Sequence, residues 1–360
     1  MTSKGSVLVA MSGGVDSSVA ACLLLEQGYE VMGSQMKLLH LADDPADHGC
    51  CGPTAQADAR AVAEHVGLPF EIVDMSETFE ETVLDDYFSE HRDGRTPNPC
   101  VRCNEHIKFR AFVDRADELG ADFVATGHYV RTRRDGLGRW HLRRGSDLAK
   151  DQSYVLHMLG QSQLARSLFP VGGMEKAETR ALAERFGLGV AGKPDSQEVC
   201  FVPGTDHAAF IEEYVPAMVQ PGDIVDPDGN VVGEHRGAWR YTVGQRRGLG
   251  VSAPEPRYVV EVDAPGNRVV IGPEELLARR GLIADRVSWI AGAAPADGPF
   301  EGEVKIRYNG DDVPAVVEPR GEGSARVEFR VPVRAVAPGQ SVVVYRGDEV
   351  LGGGRIVETF

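Results

Sequence analysis

Residues 6–18, SVLVAMSGGVDSS, constrain the fold more than any other stretch of the chain. Val7-Leu8-Val9-Ala10-Met11 is a short apolar run that reads as a buried strand. It stops at Ser12-Gly13-Gly14, and an apolar-periodic stretch from Val19 to Leu25 reads as a helix. A strand that ends in glycines and opens a helix is a place to hold phosphate. Glycines let the backbone approach closely, and the N–H groups of the first helical turn point at the anion. Ser12 and Ser17 add hydroxyl donors. The spacing has no Lys where G-x-x-x-x-G-K-S/T needs one, and it is not G-x-G-x-x-G. Ordinary P-loop and dinucleotide readings are therefore excluded.

SGGVDS instead resembles the pyrophosphate loop (PP-loop) of enzymes that split ATP into AMP and pyrophosphate. Those enzymes transfer AMP to a carbonyl oxygen to activate it. The resemblance implies that Ser12, Gly13, Gly14 and Ser17 cradle pyrophosphate, with Asp16 where Mg2+ helps.

At 360 residues the chain has room for two or three domains. No apolar stretch has membrane-spanning length, and MTSKGSV enters the first strand without a signal-peptide core, so a cytoplasmic protein is expected. Lys and Arg total 38 against 54 Asp and Glu, a net charge of −16. That average argues against nucleic acid, but a binding face is local. Residues 131–150, RTRRDGLGRWHLRRGSDLAK, are such a local basic stretch, and 236–247 is another. Cys22 falls on the inner face of the first helix and reads as core. In a cytoplasmic chain the cysteines are reduced thiols.

Further along, Tyr29–Met36 and Phe70–Val73 read as strands, with a helix over Thr54–Val66 between them. His40, His48, Cys50 and Cys51 invite a zinc reading, but no second ligand pair accompanies them. In GRTPNPCVRCNEHIKF, residues 94–109, two prolines flank Asn98 and stiffen the segment. A helix is expected from Asn104, just after Cys103. The helix dipole, Arg102 and Lys108 all favour thiolate there. Asp122–Thr126 is a strand ending at Gly127-His128-Tyr129, and helices are expected near 154–166 and 175–187. Alternating strands and helices imply a parallel sheet with ligands at the strand C-termini. From about 207 the pattern becomes a short helix, His207–Tyr214, then β-hairpins with turns PDGN and APGN. From about 280, short alternating strands read as a β-barrel.

Nine motifs in order now identify a relationship: AMSGGVDSS, TPNPCVRCNEHIKF, ATGHY, KDQSY, DSQEVCF, YTVGQRRGLG, KIRYN, RAVAPGQ and EVLGGGRI. The chain resembles the bacterial tRNA-specific 2-thiouridylase family (MnmA type) over essentially its whole length. The resemblance implies an α/β PP-loop domain over 1–206, a small mainly-β adaptor over 207–278 and a C-terminal β-barrel over 279–360. It implies tRNA-uridine 2-sulfurtransferase activity. The 2-carbonyl oxygen of the wobble uridine of lysine, glutamate and glutamine tRNAs is adenylated, then replaced by sulfur. The base must leave the stack to be reached.

By the same resemblance the ATP site falls on Ala10, Met11, Ser12, Gly13, Gly14, Val15, Asp16, Ser17, Met36 and Gly127. The nucleophile falls on Cys103 and the persulfide on Cys200, loaded by a sulfur-relay protein or a cysteine desulfurase. The target base falls against Asn98, Pro99 and Cys100. Contacts with tRNA fall on His128, Lys150, Asp151, Gln152, Arg307, Tyr308 and Gln340. Many family members carry Asp where this chain has Cys100. The exchange leaves that acid/base role vacant and adds a third thiol, so a 4Fe–4S cluster on Cys100, Cys103 and Cys200 competes with the persulfide route. A monomer is the default expectation. Two other classes stay open from the residues alone: a PP-loop ligase acting on a small metabolite, which needs no RNA, and a non-catalytic sulfur carrier or RNA-binding module, which needs no ATP.

Overall fold

A computed structural model describes residues 3–39, 52–195, 199–202, 207–321 and 323–360. His40, His48, Cys50 and Cys51, the weak zinc candidates, lie outside the described residues.

The expected first strand is β1, Ser6–Ala10, and the helix after the glycines is α1, Val15–Glu26. Next come β2, Glu30–Lys37; α2, Pro53–Val66; and β3, Phe70–Asp74. Helix α2 begins one residue before the expected start, with Pro53 in its first turn after Gly52. Helix α3 runs over 76–92 with a π-wound middle, Glu80–Leu84. Helix α4 runs over 99–118, also π-wound in its middle, and feeds β4, Phe123–Ala125. A second expected boundary moves here. The cysteine-bearing helix starts at Pro99, not Asn104, because Asn98 caps it: its Oδ1 accepts from Val101 N at 3.3 Å.

The strands form one parallel sheet in the order β3-β2-β1-β4-β7, where β7 is Ser167–Leu168. The order turns outward on either side between β1 and β4, which makes their C-terminal ends the ligand crevice of such a sheet. Gly13 follows β1 and Gly127 follows β4. Cys103 of α4 shares a buried cluster with Leu38, Leu39 and Met75, which follow the C-terminal ends of β2 and β3, and this brings the cysteine-bearing turn to that same edge.

The expected helix near 154–166 divides. A 3-10 turn, Ser153–Leu156, and α5, Gln161–Arg166, are separated at Gly160, whose φ and ψ are extended. Helix α6 is Lys176–Arg185. One core lies between the sheet and α1, α2 and α6. Another lies between the sheet and α3, α4 and residues 199–202. Phe201 plugs this second core at 2% exposure, with ring centroids 5.4 Å from Phe79 and 5.5 Å from both Tyr87 and Phe210. Truncating such a buried ring to Ala costs about 3–5 kcal/mol.

Helix α7, His207–Tyr214, opens the middle region as expected. Strands β8, Gly222–Val225, and β9, Val231–His235, close over PDGN; β10, Tyr258–Asp263, and β11, Arg268–Gly272, close over APGN. They form a four-stranded sheet ordered β10-β11-β8-β9. The C-terminal strands are β12, Ala278–Trp289; β13, Phe300–Lys305; β14, Val313–Arg320; β15, Ser324–Arg334; β16, Ser341–Arg346; and β17, Glu349–Thr359. Pairing of β12 with both β15 and β17 closes them into a barrel.

The basic stretch 131–150 folds differently from a solvated hairpin. Its strands, β5, Val130–Arg134, and β6, Trp140–Arg144, extend the barrel sheet through β17. Half of the hairpin's six arginines are consumed there. Arg131 and Arg143 pair with Asp348 at 2.9 and 2.7 Å, and Arg144 pairs with Asp312 at 2.7 Å over the Tyr345 ring. These three arginines dock the hairpin; Arg133, Arg134 and Arg139 are left exposed.

His141 completes that seam, 2.7 Å from Glu349 and 3.2 Å from Asp135. Hydrogen bonding to Glu349 raises its pKa above 6.5 against the opposing effect of burial, and Asp135 adds to the rise. The stabilisation is full below the unfolded value and is lost as pH rises through the folded one. In thermal unfolding between pH 5.5 and 8.5, wild type is expected to lead His141→Gln at the acid end and to lose that lead toward the alkaline end. A lead that grows with pH contradicts this.

Candidate active site at the strand C-termini

The glycine loop is built from local constraints. Gly13 sits at φ +69°, and a Cβ there would lie 2.3 Å from Ala55 O. Gly14 is the N-cap of α1 in extended conformation and offers no side-chain cap, so the first-turn N–H groups await another acceptor. Ser12 N–H donates to Ser17 Oγ at 3.2 Å, and the two hydroxyls are 3.2 Å apart, which folds the loop over the turn. A Cβ on Gly127 would meet Ser17 N at 2.6 Å and Asp16 C at 2.7 Å, so that glycine lets β4 close on the same turn. Ala10, Met11 and Val15 are buried beneath it. Met36 is half-buried on β2 and packs against the second core.

Cations that the motifs do not announce surround this loop. Lys176 Nζ donates to both carboxylate oxygens of Asp16, at 2.7 and 2.8 Å, and to Asp195 Oδ1 at 2.8 Å. Tyr129 OH donates to Asp16 Oδ1 at 2.9 Å, and burial raises its pKa, so it remains a donor. Asp195 also takes Lys150 at 2.8 Å and Arg180 at 2.9 Å. Burial opposes the Asp195 charge, but Lys150 and Lys176 outweigh it and bring its carboxyl down to about 2. Lys193 Nζ donates to Gly13 O at 3.1 Å and Asp58 at 2.6 Å.

The cysteine-bearing turn is held from the barrel. Gln340 Nε2 donates to the carbonyls of Thr96 and Pro97 at 2.9 and 3.1 Å, and Thr96 N–H donates to Pro338 O at 2.8 Å. Cys100 is exposed on the first turn of α4, and Cys103, one turn on, is buried at 6% exposure. Tyr308 of the barrel, 39% exposed, stands near Cys100 and Asp151: burial first, then these two, pushes its phenol up to about 12. Cys200 is half-buried beside the Phe201 plug and packs against the core that contains Cys103. A cavity of about 440 Å³ touches both cysteine segments, at Pro99 and Val199, and is walled by Tyr87, Trp239 and Tyr241 of α3 and the middle region. Cys22 is buried as expected, and burial and then Glu26 push its thiol up to about 11, which leaves it inert.

Several expected tRNA contacts serve the fold first. His128 is buried at 7%, its Nδ1 2.6 Å from Thr126 Oγ1, and desolvation and then Lys108 lower its pKa, so it is neutral. Asp151, at 8%, accepts from Gly145 N–H and Ser153 N–H at 3.0 and 3.1 Å, and Gln152 Oε1 accepts from Tyr129 N–H at 2.9 Å. Neither His128 nor Asp151 presents a surface. Arg307, Tyr308, Arg246 and Arg247 are exposed, as is Arg236. Among the described residues, no three His, Cys, Asp or Glu side chains are grouped to hold a metal ion. No helix among those residues is long and apolar enough to cross a membrane.

Residues 5–204 match a family model described as a tRNA methyl transferase HUP domain, 208–273 a tRNA methyl transferase PRC-barrel domain, and 279–356 an aminomethyltransferase beta-barrel domain. A protein of Geobacter metallireducens named tRNA-specific 2-thiouridylase MnmA is 51% identical over 99% of this chain and 98% of its own. One of the same name from Heliobacterium modesticaldum is 50% identical over 98% and 93%. A solved 4-thiouridine synthetase–RNA complex with bound ATP is 19% identical at a TM-score of 0.36, over 59% of this chain and 50% of that one, too loose a likeness to carry a statement about chemistry.

Proposed function

This chain belongs to the tRNA-specific 2-thiouridylase family, and from that premise we propose that it replaces the 2-oxygen of the wobble uridine of tRNA with sulfur at the expense of ATP. The observation that carries the reading is the shared edge: the glycine loop and the cysteine-bearing turn of α4 both stand at the C-terminal ends of one parallel sheet. A phosphate binder and a thiol pair on one edge suit a reaction that activates an oxygen with AMP and then displaces it with sulfur. A uracil carbonyl is a poor electrophile and oxide a poor leaving group, and adenylation remedies both.

In this reading, the backbone of Ser12 to Ser17 holds the polyphosphate, with Lys193 tying the loop from outside. Ala10, Met11, Met36 and Gly127 bound the rest of the nucleotide. Asp16 would hold Mg2+ together with phosphate oxygens and water, and the ion supplies neutralisation of the phosphates. The flipped uridine lies against Asn98, Pro99 and Cys100, and the aromatic-walled cavity beside Pro99 gives an extruded base room. Cys200 carries the persulfide and Cys103 completes the exchange through a disulfide with Cys200. The sulfur comes from a relay protein or a desulfurase. Lys150, Gln152, Arg307 and Tyr308 meet tRNA directly, whereas His128, Asp151 and Gln340 shape the loops that do. The protein acts as a cytoplasmic monomer on lysine, glutamate and glutamine tRNAs.

One anaerobic assay tests the whole. Iron-free protein, ATP, Mg2+, unmodified tRNA and a persulfide-generating desulfurase are combined, and nucleosides are read by mass spectrometry. The expected product is 2-thiouridine at the wobble position. Product only after cluster reconstitution overturns the persulfide route. Pyrophosphate release that needs no RNA points to a small-metabolite ligase instead.

Cys100→Ser is expected to keep at least about a tenth of the activity, since Cys103 and Cys200 suffice for the exchange. A folded Cys100→Ser protein that binds ATP yet makes no product contradicts that assignment.

Affinity for tRNA is expected to fall steeply with salt. Because Arg131 and Arg143 are engaged with Asp348, Arg246→Ala should reduce the salt slope and Arg143→Ala should not. Filter binding across a salt series reads both; the opposite ranking returns the tRNA face to the hairpin.

A further inference from the structure

Lys176 is the least expected group at the loop. It opens α6, yet its ammonium reaches both oxygens of a carboxylate in the first turn of α1, at 2.7 and 2.8 Å. Its side chain is only 12% exposed. The turn it reaches is the one whose N-cap, Gly14, leaves the N–H groups without a side-chain acceptor. An anion seated on those groups lies beside the Asp16 carboxylate, and so beside the ammonium that Asp16 holds.

Lys176 is not the sole donor to either of its partners. Asp16 also accepts from Tyr129 OH at 2.9 Å, and Asp195 also has Lys150 and Arg180 at 2.8 and 2.9 Å. Lys176 can leave while each carboxylate keeps a donor. The cations of this network, Lys150, Lys176 and Arg180, outnumber its carboxylates, Asp16 and Asp195, by one. A flexible four-carbon stem with a compact charge suits a short transfer from carboxylate to phosphate. Lys193 differs, since it is bound to the loop backbone itself and to Asp58.

We propose that Lys176 is a catalytic cation that exchanges Asp16 for the departing pyrophosphate. This rests on the adenylation reading above. In that step the uridine 2-oxygen forms a bond to the α-phosphorus, and the bond from the α-phosphorus to the α,β-bridging oxygen breaks. The electron pair of the broken bond stays on pyrophosphate. The negative charge that grows there is what Lys176 neutralises, while Asp16 is freed for the metal side of the nucleotide. Such a contact is stronger in the transition state than with bound ATP, so it acts on rate more than on affinity.

The test uses the full chain with Lys176→Met, which keeps the length of the stem, and Lys176→Arg, which keeps the charge. AMP release on unmodified tRNA is followed at saturating ATP, and ATP affinity is measured separately by equilibrium dialysis. Lys176→Met is expected to lower kcat by roughly 10²–10³-fold while ATP affinity changes less than about tenfold. Lys176→Arg should stay within about tenfold of wild type in both. The deciding readout is the leaving group. ATP analogues with methylene or difluoromethylene between the β- and γ-phosphorus make the leaving group more or less basic. The rate of Lys176→Met should depend on that basicity more steeply than the wild-type rate, a change that a purely structural lysine does not produce. Equal slopes, or a rate loss accounted for by ATP affinity or unfolding, overturn the proposal alone. A wild-type protein that releases no AMP with tRNA overturns the adenylation reading and the proposal together.

Discussion

Cys200→Ser is expected to yield a folded protein that binds ATP and tRNA but forms no 2-thiouridine, a loss of roughly 10³-fold or more. Serine keeps nearly the size but cannot carry a sulfane sulfur. The structural cost is small because the segment is anchored by its neighbour: Phe201, at 2% exposure, packs on Phe79, Tyr87 and Phe210, while Cys200 itself is half-buried. Cys103→Ser should be as severe for product but differ in what accumulates. Cys103 is on α4, not on the segment that accepts sulfur, so a desulfurase should still load Cys200 with labelled sulfur in that variant. Mass spectrometry of the 200-containing peptide separates the two. Labelled sulfur retained on protein by Cys103→Ser and absent from Cys200→Ser is the expected pattern. If Cys200→Ser still makes 2-thiouridine, the persulfide is elsewhere and the reading of this site fails.

What the sequence revealed and what it hid follow from the range of the interactions. The glycine loop is legible because its reasons are local: a positive φ at Gly13 and a bare N-terminus on α1. The turns PDGN and APGN are legible for the same reason, and Asn267 does take a positive φ of 49°. The start of α4 was also written locally, in Asn98-Pro99, as a cap followed by proline in the first turn. Weighing the thiol at Cys103 instead moves the expected start five residues too far along. Lys176 and Lys193 carry no local signal, since their partners Asp16 and Gly13 are 160 and 180 residues away. The basic hairpin misleads for that reason too. Its arginines look solvated until the chain returns more than 200 residues later with Asp348. Family resemblance supplied the positions of Cys200, Arg307 and Gln340, which no local pattern distinguishes from core or barrel face.

Gly13→Ala is the second large expected effect, and Gly14→Ala is its control. The two glycines are adjacent but are required for different reasons. Gly13 holds φ +69°, where a Cβ costs about 1–2 kcal/mol, and that Cβ would lie 2.3 Å from Ala55 O and 3.0 Å from Ala55 C. Ala55 is on α2, itself packed against the first core, so relief requires a shift of backbone against backbone and adds about 1–3 kcal/mol. Gly14 has ordinary φ, and its Cβ would find only Ser12 Oγ at 3.4 Å. Chemical denaturation should therefore show Gly13→Ala destabilised by about 2–5 kcal/mol, the sum of those two costs, and Gly14→Ala by less than about 1 kcal/mol, the usual loss at an N-cap glycine. ATP affinity should fall in both, by about 100-fold or more for Gly13→Ala because the loop is displaced, and for Gly14→Ala because a methyl group enters the space where phosphate approaches the backbone. The control matters because lost binding in Gly13→Ala alone could be read as lost fold. A Gly14→Ala protein with wild-type stability and weakened ATP binding places the phosphate on this loop. A Gly14→Ala protein with undiminished affinity moves the nucleotide off it, and Asp16, Lys176 and Lys193 become a structural ion network around a tight turn.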